Sequence, residues 1–440
     1  MSKKPSPTNS RKSPVAGIEF VSEAAGVEEY LLKSNGLRIL FHERRDTDVV
    51  TTNITYFVGA RDEERGETGL AHMLEHMLFK PTANDLKNKI EDGSAMRFER
   101  ETGCILNANT WKDRTTYFFC SPTEHLDRML ALEADRMQNV VLTDETLKPE
   151  QGNVLSEFDM YGGRPDFTLA VQMVNSAFHS HPYGHETIGF REDIEDYNAE
   201  KLQRFYKNYY RPDNAVMMVV GDVDKKLALE LIKKHFAELK NPATPIPRFS
   251  IREPKQEGMR RVTVERPSTT NLVSIGFKHE GFPSHDWFVN DLMLDTLTSG
   301  PESILHKLLV DTGKASSVAS SMDPSSHSSL GVIEISLAQG QSHSEIEHLT
   351  LRAIESLTLK EITPLLKKAK IRNITDELFA RTSSMHIAQE LTEYVSAGDW
   401  NVYAKTTEIL NKVSPKMVLD SLKKSFNSHN LTIGHFVGTK

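Results

Sequence analysis

The stretch GLAHMLEHMLFK, residues 69–80, sets His72, Glu75 and His76 in the spacing H-x-x-E-H. At 100° per residue, Leu70, Met73, Leu74, Met77 and Leu78 gather on one face of a helix, and His72, Glu75, His76 and Phe79 on the opposite face. The histidines are then one turn apart and outside the apolar stripe, so both imidazoles can converge on one ion. Glu75 lies beside them, within reach of a water. Zinc catalysis asks for such a set: neutral nitrogen ligands, one open coordination position and a nearby base. The same spacing occurs among zinc peptidase motifs. Chance places it in roughly one chain in twenty of this composition, so the motif needs a third ligand.

A carboxylate is offered by LKPEQGNVLSEFDMYGG, residues 147–163. Glu150, Asn153 and Glu157 share one side of a helix, with Leu147, Val154 and Phe158 on the neighbouring apolar side. The two glutamates are seven residues apart, about 10 Å along the axis. Only one can therefore bind the same ion, and the other would orient a ligand or a water. Glutamates mostly face solvent, and spacing alone leaves the choice between the two open.

The elements that must position these groups follow from periodicity and breakers. GLRILFHERRDTDVVTTNITYFVGA reads as two strands around ERRDTD, and the histidine helix comes next. ILNANTWKDRTTYFF, between Cys104 and Cys120, reads as two strands about a turn at Trp111–Arg114. That fold would bring the cysteines nearly opposite, although free thiols are expected in a reducing compartment. DRMLALEADRMQNV and TDETLKPEQGNVLSEFDMYGG read as helices. AEKLQRFYKNYYRPDNAVMMVVGDVD reads as helix, turn and strand, and KKLALELIKKHFAEL as an amphipathic helix. KNPATPIPRFSIREPKQEG has four prolines and no helical period, which marks an interdomain linker. The second half repeats the order: strands in RRVTVERPSTTNLVSIGFKHE, helices, a strand in GVIEISLAQ, more helices and a last strand in NLTIGHFVG. The expectation is an α+β protein of two homologous domains, each a mainly antiparallel sheet packed with helices. Residues 1–25 are expected as a disordered leader, 26–240 as the domain with H-x-x-E-H, 241–257 as linker, and 258–440 as a second domain without the motif.

Composition narrows the function classes. The chain has 440 residues and a net charge of −8, so it has no basic excess for nucleic acid. No stretch approaches the ~18 apolar residues of a membrane span. The basic N-terminus has no apolar core of a secretory signal, and Pro5, Pro7 and Pro14 oppose a transit helix. Cytoplasmic residence is therefore expected. HSHPYGH, with His179, His181 and His185, is expected as a structural loop rather than a second metal site. SSVASSMDPSSHSSLG is expected as a flexible connection. DTGKAS lacks the upstream glycine of a phosphate loop, and no G-x-S-x-G nucleophile turn occurs.

Taken in order, HMLEHMLFKPT, the pair Glu150/Glu157, LNANTWKDRTTYFF, HPYGHETIGFREDI and YYRPDNAVMMVVGDVD resemble the pitrilysin/insulinase family of zinc peptidases, which includes the mitochondrial processing peptidase. The resemblance covers residues 28–240 closely, and 255–440 at the level of element order. It implies zinc ligation by His72, His76 and Glu157, Glu75 as general base, and Glu150 as a supporting acid. It also implies peptide contacts at Asn107 and Ala108, on a strand that can accept an extended substrate, with Phe79 beside them. The spacing from His76 to Glu157 exceeds the family norm, and ANDLKNKIEDGSAMRFERETG is expected to absorb the difference as a loop. One departure matters. Where many active members carry an arginine and a tyrosine in the second half, this chain has Val310 and Ser317. The resemblance thus implies a zinc endopeptidase acting on short or unfolded peptides, as the metal-bearing subunit of a heterodimer whose paralogue supplies the Arg/Tyr pair. A weakly active homodimer and a non-catalytic peptide-binding or scaffold subunit are the alternatives.

Overall fold

A computed structural model describes residues 12–439. The first sheet contains β1 (Ile18–Ala24), β2 (Val27–Leu32), β3 (Arg38–Glu43), β4 (Val49–Tyr56), β5 (Ile105–Thr110), β6 (Thr115–Pro122) and β7 (Ala215–Gly221), in the order β1-β2-β3-β7-β4-β6-β5. The second contains β8 (Arg260–Pro267), β9 (Leu272–His279), β10 (Ala315–Ser321), β11 (Ser329–Leu337) and β12 (Leu431–Thr439), in the order β10-β11-β9-β12-β8. Each sheet is antiparallel but for one pair, β3 with β7 and β8 with β12. In chain order, β3 to β7 and β8 to β12 have the same neighbours, which is the duplication expected from element order.

β7 shows why AVMMVV reads as an unbroken apolar run. Met217 and Val219 face the core of the first domain, while Val216, Met218 and Val220 face a second core shared with the C-terminal half. A strand covered on both faces has no polar side to alternate. The helix Ser384–Ser396 of the second half lies on that outer face, with Ser384 Oγ 3.0 Å from Thr51 Oγ1. Reciprocally, a helix of the first half, Pro165–Ala177, lies on the second sheet, where Leu169 and Met173 pack with Leu272, Leu330 and Phe436. Gly434 permits that approach, because a Cβ there would stand 2.6 Å from Met173 Sδ. The two halves thus exchange helices across their boundary.

Three expectations change. β1 occupies Ile18–Ala24, inside the stretch read as leader, and pairs with β2 through a tight turn whose central residues Ala25 and Gly26 have φ of 50° and 79°. Its inward residues are interleaved with exposed polar ones, which concealed it. Residues 1–11 of that leader lie outside the described residues. ANDLKNKIEDGSAMRFERETG folds as two helices, Ala83–Lys87 and Ser94–Thr102, not as a loop. SSVASS is strand β10, held by its ladder to β11 despite a weak strand composition. The cysteines are free thiols, as expected, and Cys120 stands opposite Ile105, one residue out of register with Cys104. Among the described residues no helix is long and apolar enough to cross a membrane.

Residues 241–257 contain no helix or strand, yet they are bound down. Gln256 is buried and its side chain donates to the Leu431 carbonyl at 2.7 Å. The Glu253 carboxylate accepts the backbone N–H groups of His179, Ser180 and His181 at 2.9–3.1 Å and meets Lys278 Nζ at 3.3 Å. Burial opposes ionisation of Glu253, but these donors outweigh it and hold the carboxyl at about 2. The pKa is depressed on folding, so its stabilisation is complete above the ordinary carboxylate range and is lost as pH falls toward 2. Glu253→Gln should therefore destabilise the chain by about 1–3 kcal/mol at neutral pH. Denaturant melts across about pH 5 to pH 2 should show the gap to wild type closing.

Candidate metal centre

The motif helix, α1 (Leu70–Met77), buries Leu70, Ala71, Met73, Leu74 and Met77 and leaves His72, Glu75 and His76 half-buried on its other side. Its N-terminus is fixed by contacts distant in sequence. Glu63 accepts from the Gly69 and Ala71 N–H groups, each at 2.8 Å, and its Oε2 is 3.0 Å from His185 Nε2. Buried carboxylate oxygens thus satisfy helix donors that would otherwise lack partners. Gly69 has φ of 89°, and a Cβ there would stand 2.4 Å from both the Ile188 carbonyl and Tyr197 Oη. Only glycine fits.

The Glu150/Glu157 helix, hereafter α2 (Asp144–Gly162), begins at Thr143, whose Oγ1 accepts from the Thr146 N–H. It buries Leu147, Glu150 and Val154 and crosses α1. The crossing brings Glu157 Oε2 to 3.7 Å from His72 Nε2 and 3.6 Å from His76 Nε2. One ligand atom from each of the three residues lies within 4.8 Å of the others, and among the described residues no other group of three or more His, Cys, Asp or Glu does so. Glu150 Oε2 stands 3.5 Å from His76 Nδ1, on the far side of that ring, while its Oε1 is held by Lys80 and by Asn153 Nδ2 at 3.0 Å.

These residues fit zinc. The N···O separations are too long for hydrogen bonds and close to the roughly 3.4 Å that separates two ligands of one tetrahedral ion. His72 makes no hydrogen bond through either ring nitrogen among the described residues, and its Nδ1 is fully buried. A cation would take Nε2, the ring nitrogen turned toward Glu157, and the buried Nδ1 would keep its lack of a partner.

The charges are arranged to suit. Burial, with the neighbouring His76 charge, pushes His72 down to about 4 and keeps it neutral, as a ligand must be. Burial also works against protonated His76, but the Glu157, Glu75 and Glu150 carboxylates outweigh it and raise its pKa. The contact with His76 lowers Glu157. Burial opposes the ionised form of Glu150, but Lys80 and Asn153 prevail and lower it. Burial raises Glu75, against the hydrogen bond that Thr110 Oγ1 donates to its Oε2 at 2.6 Å.

β5, which carries Asn107, Ala108 and Thr110, is the edge of the first sheet and contacts α1. Asn107 is exposed, its Oδ1 accepting from the Ala108 N–H at 2.8 Å, and Ala108 is buried against the core. Phe79, expected among the substrate contacts, is half-buried. It lies one residue past the helix cap, its ring 6.2 Å from Tyr117 and 5.7 Å from the Arg136 guanidinium, so it packs on the core below the histidines. Thr110 and Glu63 were not singled out from sequence. Thr110 had a signal, since it lies two residues beyond Ala108 on one strand and so on the same face. Glu63 and His185, 122 residues apart, had none.

The family described as "Insulinase (Peptidase family M16)" matches residues 38–190, and "Peptidase M16 inactive domain" matches 196–372. The "Zinc protease PqqE" of Helicobacter pylori is 31% identical over 379 residues, 84% of each chain. The chain belongs to the pitrilysin/insulinase family of peptidases. Within that family it is also similar to the "Probable mitochondrial-processing peptidase subunit beta" of Arabidopsis thaliana, 27% identical over 224 residues, 50% of this chain and 40% of that one. The crystal structure of a protease from Helicobacter pylori superposes with a TM-score of 0.88 at 28% identity, covering 94% of this chain and 100% of that one. The motif helix of this insulinase-family chain falls in the first match. The second match begins in the first domain, ahead of β7, runs into the second and contains no H-x-x-E-H.

Purified chain should take up one zinc, and His76→Ala should abolish uptake, as measured by metal analysis after dialysis. Glu150→Gln should weaken zinc about 10–100-fold while leaving the stoichiometry at one, because it removes an orienting partner rather than a ligand.

Proposed function

We propose that this chain is a zinc-dependent endopeptidase for short or unfolded peptides and that it works as the metal-bearing subunit of a dimer. The observation that carries the reading is one site in which three converging potential ligand atoms, a half-buried glutamate and an open strand edge meet. The name of the Helicobacter relative, a zinc protease, supports it. In this reading His72, His76 and Glu157 would hold the ion, which would supply Lewis acidity toward a water and the peptide carbonyl. Glu75 takes the proton of the attacking water and delivers it to the leaving amine. Its raised pKa suits a group that must hold that proton between the two transfers. Thr110 fixes one carboxylate oxygen, so the other is free for the water. Glu150 and Lys80 steady the His76 ring. An extended peptide pairs its backbone with β5 irrespective of sequence, passing Asn107 and Ala108.

The second domain offers no clamp at the two positions where one was sought. Val310 is packed on the second core, and Ser317 is an exposed residue of edge strand β10. A paralogue supplying an arginine and a tyrosine would complete the substrate contacts, and the subunit name of the Arabidopsis relative is in keeping with such an assembly. The same two residues favour the second reading, a peptide-binding subunit without turnover.

Glu75→Gln should retain zinc and lose at least about 100-fold in kcat. Thr110→Val should lower kcat with zinc content unchanged, and Thr110→Ser should restore most of it. Peptide-cleavage assays with parallel metal analysis check both. Adding a co-expressed paralogue should raise kcat/KM at least tenfold over the single chain. Equal activity with and without it would remove the dimer from the reading.

A further inference from the structure

The second domain has no metal motif, yet it grips the strand beside the metal centre. Thr110 faces α1 and Glu75; its neighbour Asn109, on the opposite face by strand alternation, accepts a hydrogen bond from Arg114 Nη1. Arg114 lies in the turn between β5 and β6 and is 4% exposed. Its Nε and Nη2 donate to the two carboxylate oxygens of Glu393, the first at 3.2 Å. Glu393 belongs to the helix Ser384–Ser396 of the second domain. The adjacent Asp113 ties the same turn down again, accepting from the Ser326 N–H at 2.7 Å, from Tyr183 Oη at 2.7 Å and from Arg61 at 2.5 Å.

β5 has a ladder partner on one side only, so its own sheet leaves its open edge weakly held. Bidentate charge-assisted bonds are among the strongest and most directional side-chain contacts. Here one joins the end of β5 to the other domain.

We propose that the Glu393–Arg114–Asn109 bridge positions the β5 edge for backbone pairing with a peptide, so that the motif-less domain places the substrate. Glu393 and Arg114 are positioning residues and touch no reacting atom. The inference rests on β5 being the peptide-pairing strand of the proposed peptidase.

The test uses the zinc-loaded full chain as wild type, Glu393→Ala and Glu393→Gln. Each is also prepared with Glu75→Gln for binding, so that binding is read without turnover. The probe is a fluorescein-labelled 15-residue peptide from unfolded casein, followed by anisotropy. Hydrogen exchange reads residues 105–110. Glu393→Ala should weaken peptide binding about tenfold and speed exchange in β5 about tenfold. KM should rise in parallel while kcat stays within twofold and one zinc is retained. Glu393→Gln, which keeps an acceptor, should fall between and carries the test if Glu393→Ala does not fold. Unchanged binding and KM in folded variants would overturn the inference. So would a fall in kcat and zinc with KM intact, or a wild-type chain that does not bind the peptide. Failure of the peptidase reading shows separately, as cleavage that is absent or indifferent to Glu75→Gln.

Discussion

His72, His76 and Glu157, on two separate helices, bring three potential ligand atoms within 4.8 Å of one another, and contacts throughout the first domain hold those helices together. An eight-residue helix has little rigidity of its own. α1 therefore takes its position from outside: Glu63 at its N-terminus, Gly69 where no side chain fits, and an apolar face of Leu70, Met73, Leu74 and Met77 buried to completion. α2 brings Glu157 to the same point, with Glu150 and Lys80 bracing the crossing one turn of α1 further on. The polar face of α1 is spared for chemistry because one face alone anchors it.

The second domain shows the alternative outcome of the same topology. The helix that follows β9, His285–Thr298, is the counterpart of α1, which follows β4. It is buried nearly all round, including Asn290, Thr296 and Thr298, against the helices Leu359–Ala380 and Pro415–Ser425. Its half-buried stripe carries Trp287, Asp291 and Asp295 and no histidine. What this half retains is mechanical. It covers the outer face of the first sheet, receives the helix Pro165–Ala177, and fastens the turn between β5 and β6 through Glu393 and Ser326.

The parts legible in sequence were those set by short-range period. The helical wheel separated His72, Glu75 and His76 from the apolar stripe, the seven-residue spacing aligned Glu150 with Glu157, and the order of strands and helices exposed the duplication. Tertiary contacts decided the rest. Glu63 and His185 join across 122 residues, and Glu393 reaches Arg114 across 279. Phe79 shares the angular face of the histidines but lies beyond the helix cap, where the chain turns it onto Tyr117 and Arg136. β1 and β10 escaped because their residues resemble a disordered leader and a serine-rich loop, and their neighbours in the sheet supply the order. The hairpin count placed the two cysteines nearly opposite, and they stand one residue apart in register.

In the proposed peptidase, one zinc and one peptide backbone share the space between His72, His76, Glu157 and β5. Crystals of the zinc-loaded Glu75→Gln chain, grown with an extended peptide and measured on both sides of the zinc absorption edge, test it most directly. A single strong anomalous peak between those three side chains is expected, with the peptide running as an added strand along β5. A peak elsewhere, no peak, or a peptide bound away from β5 would contradict it.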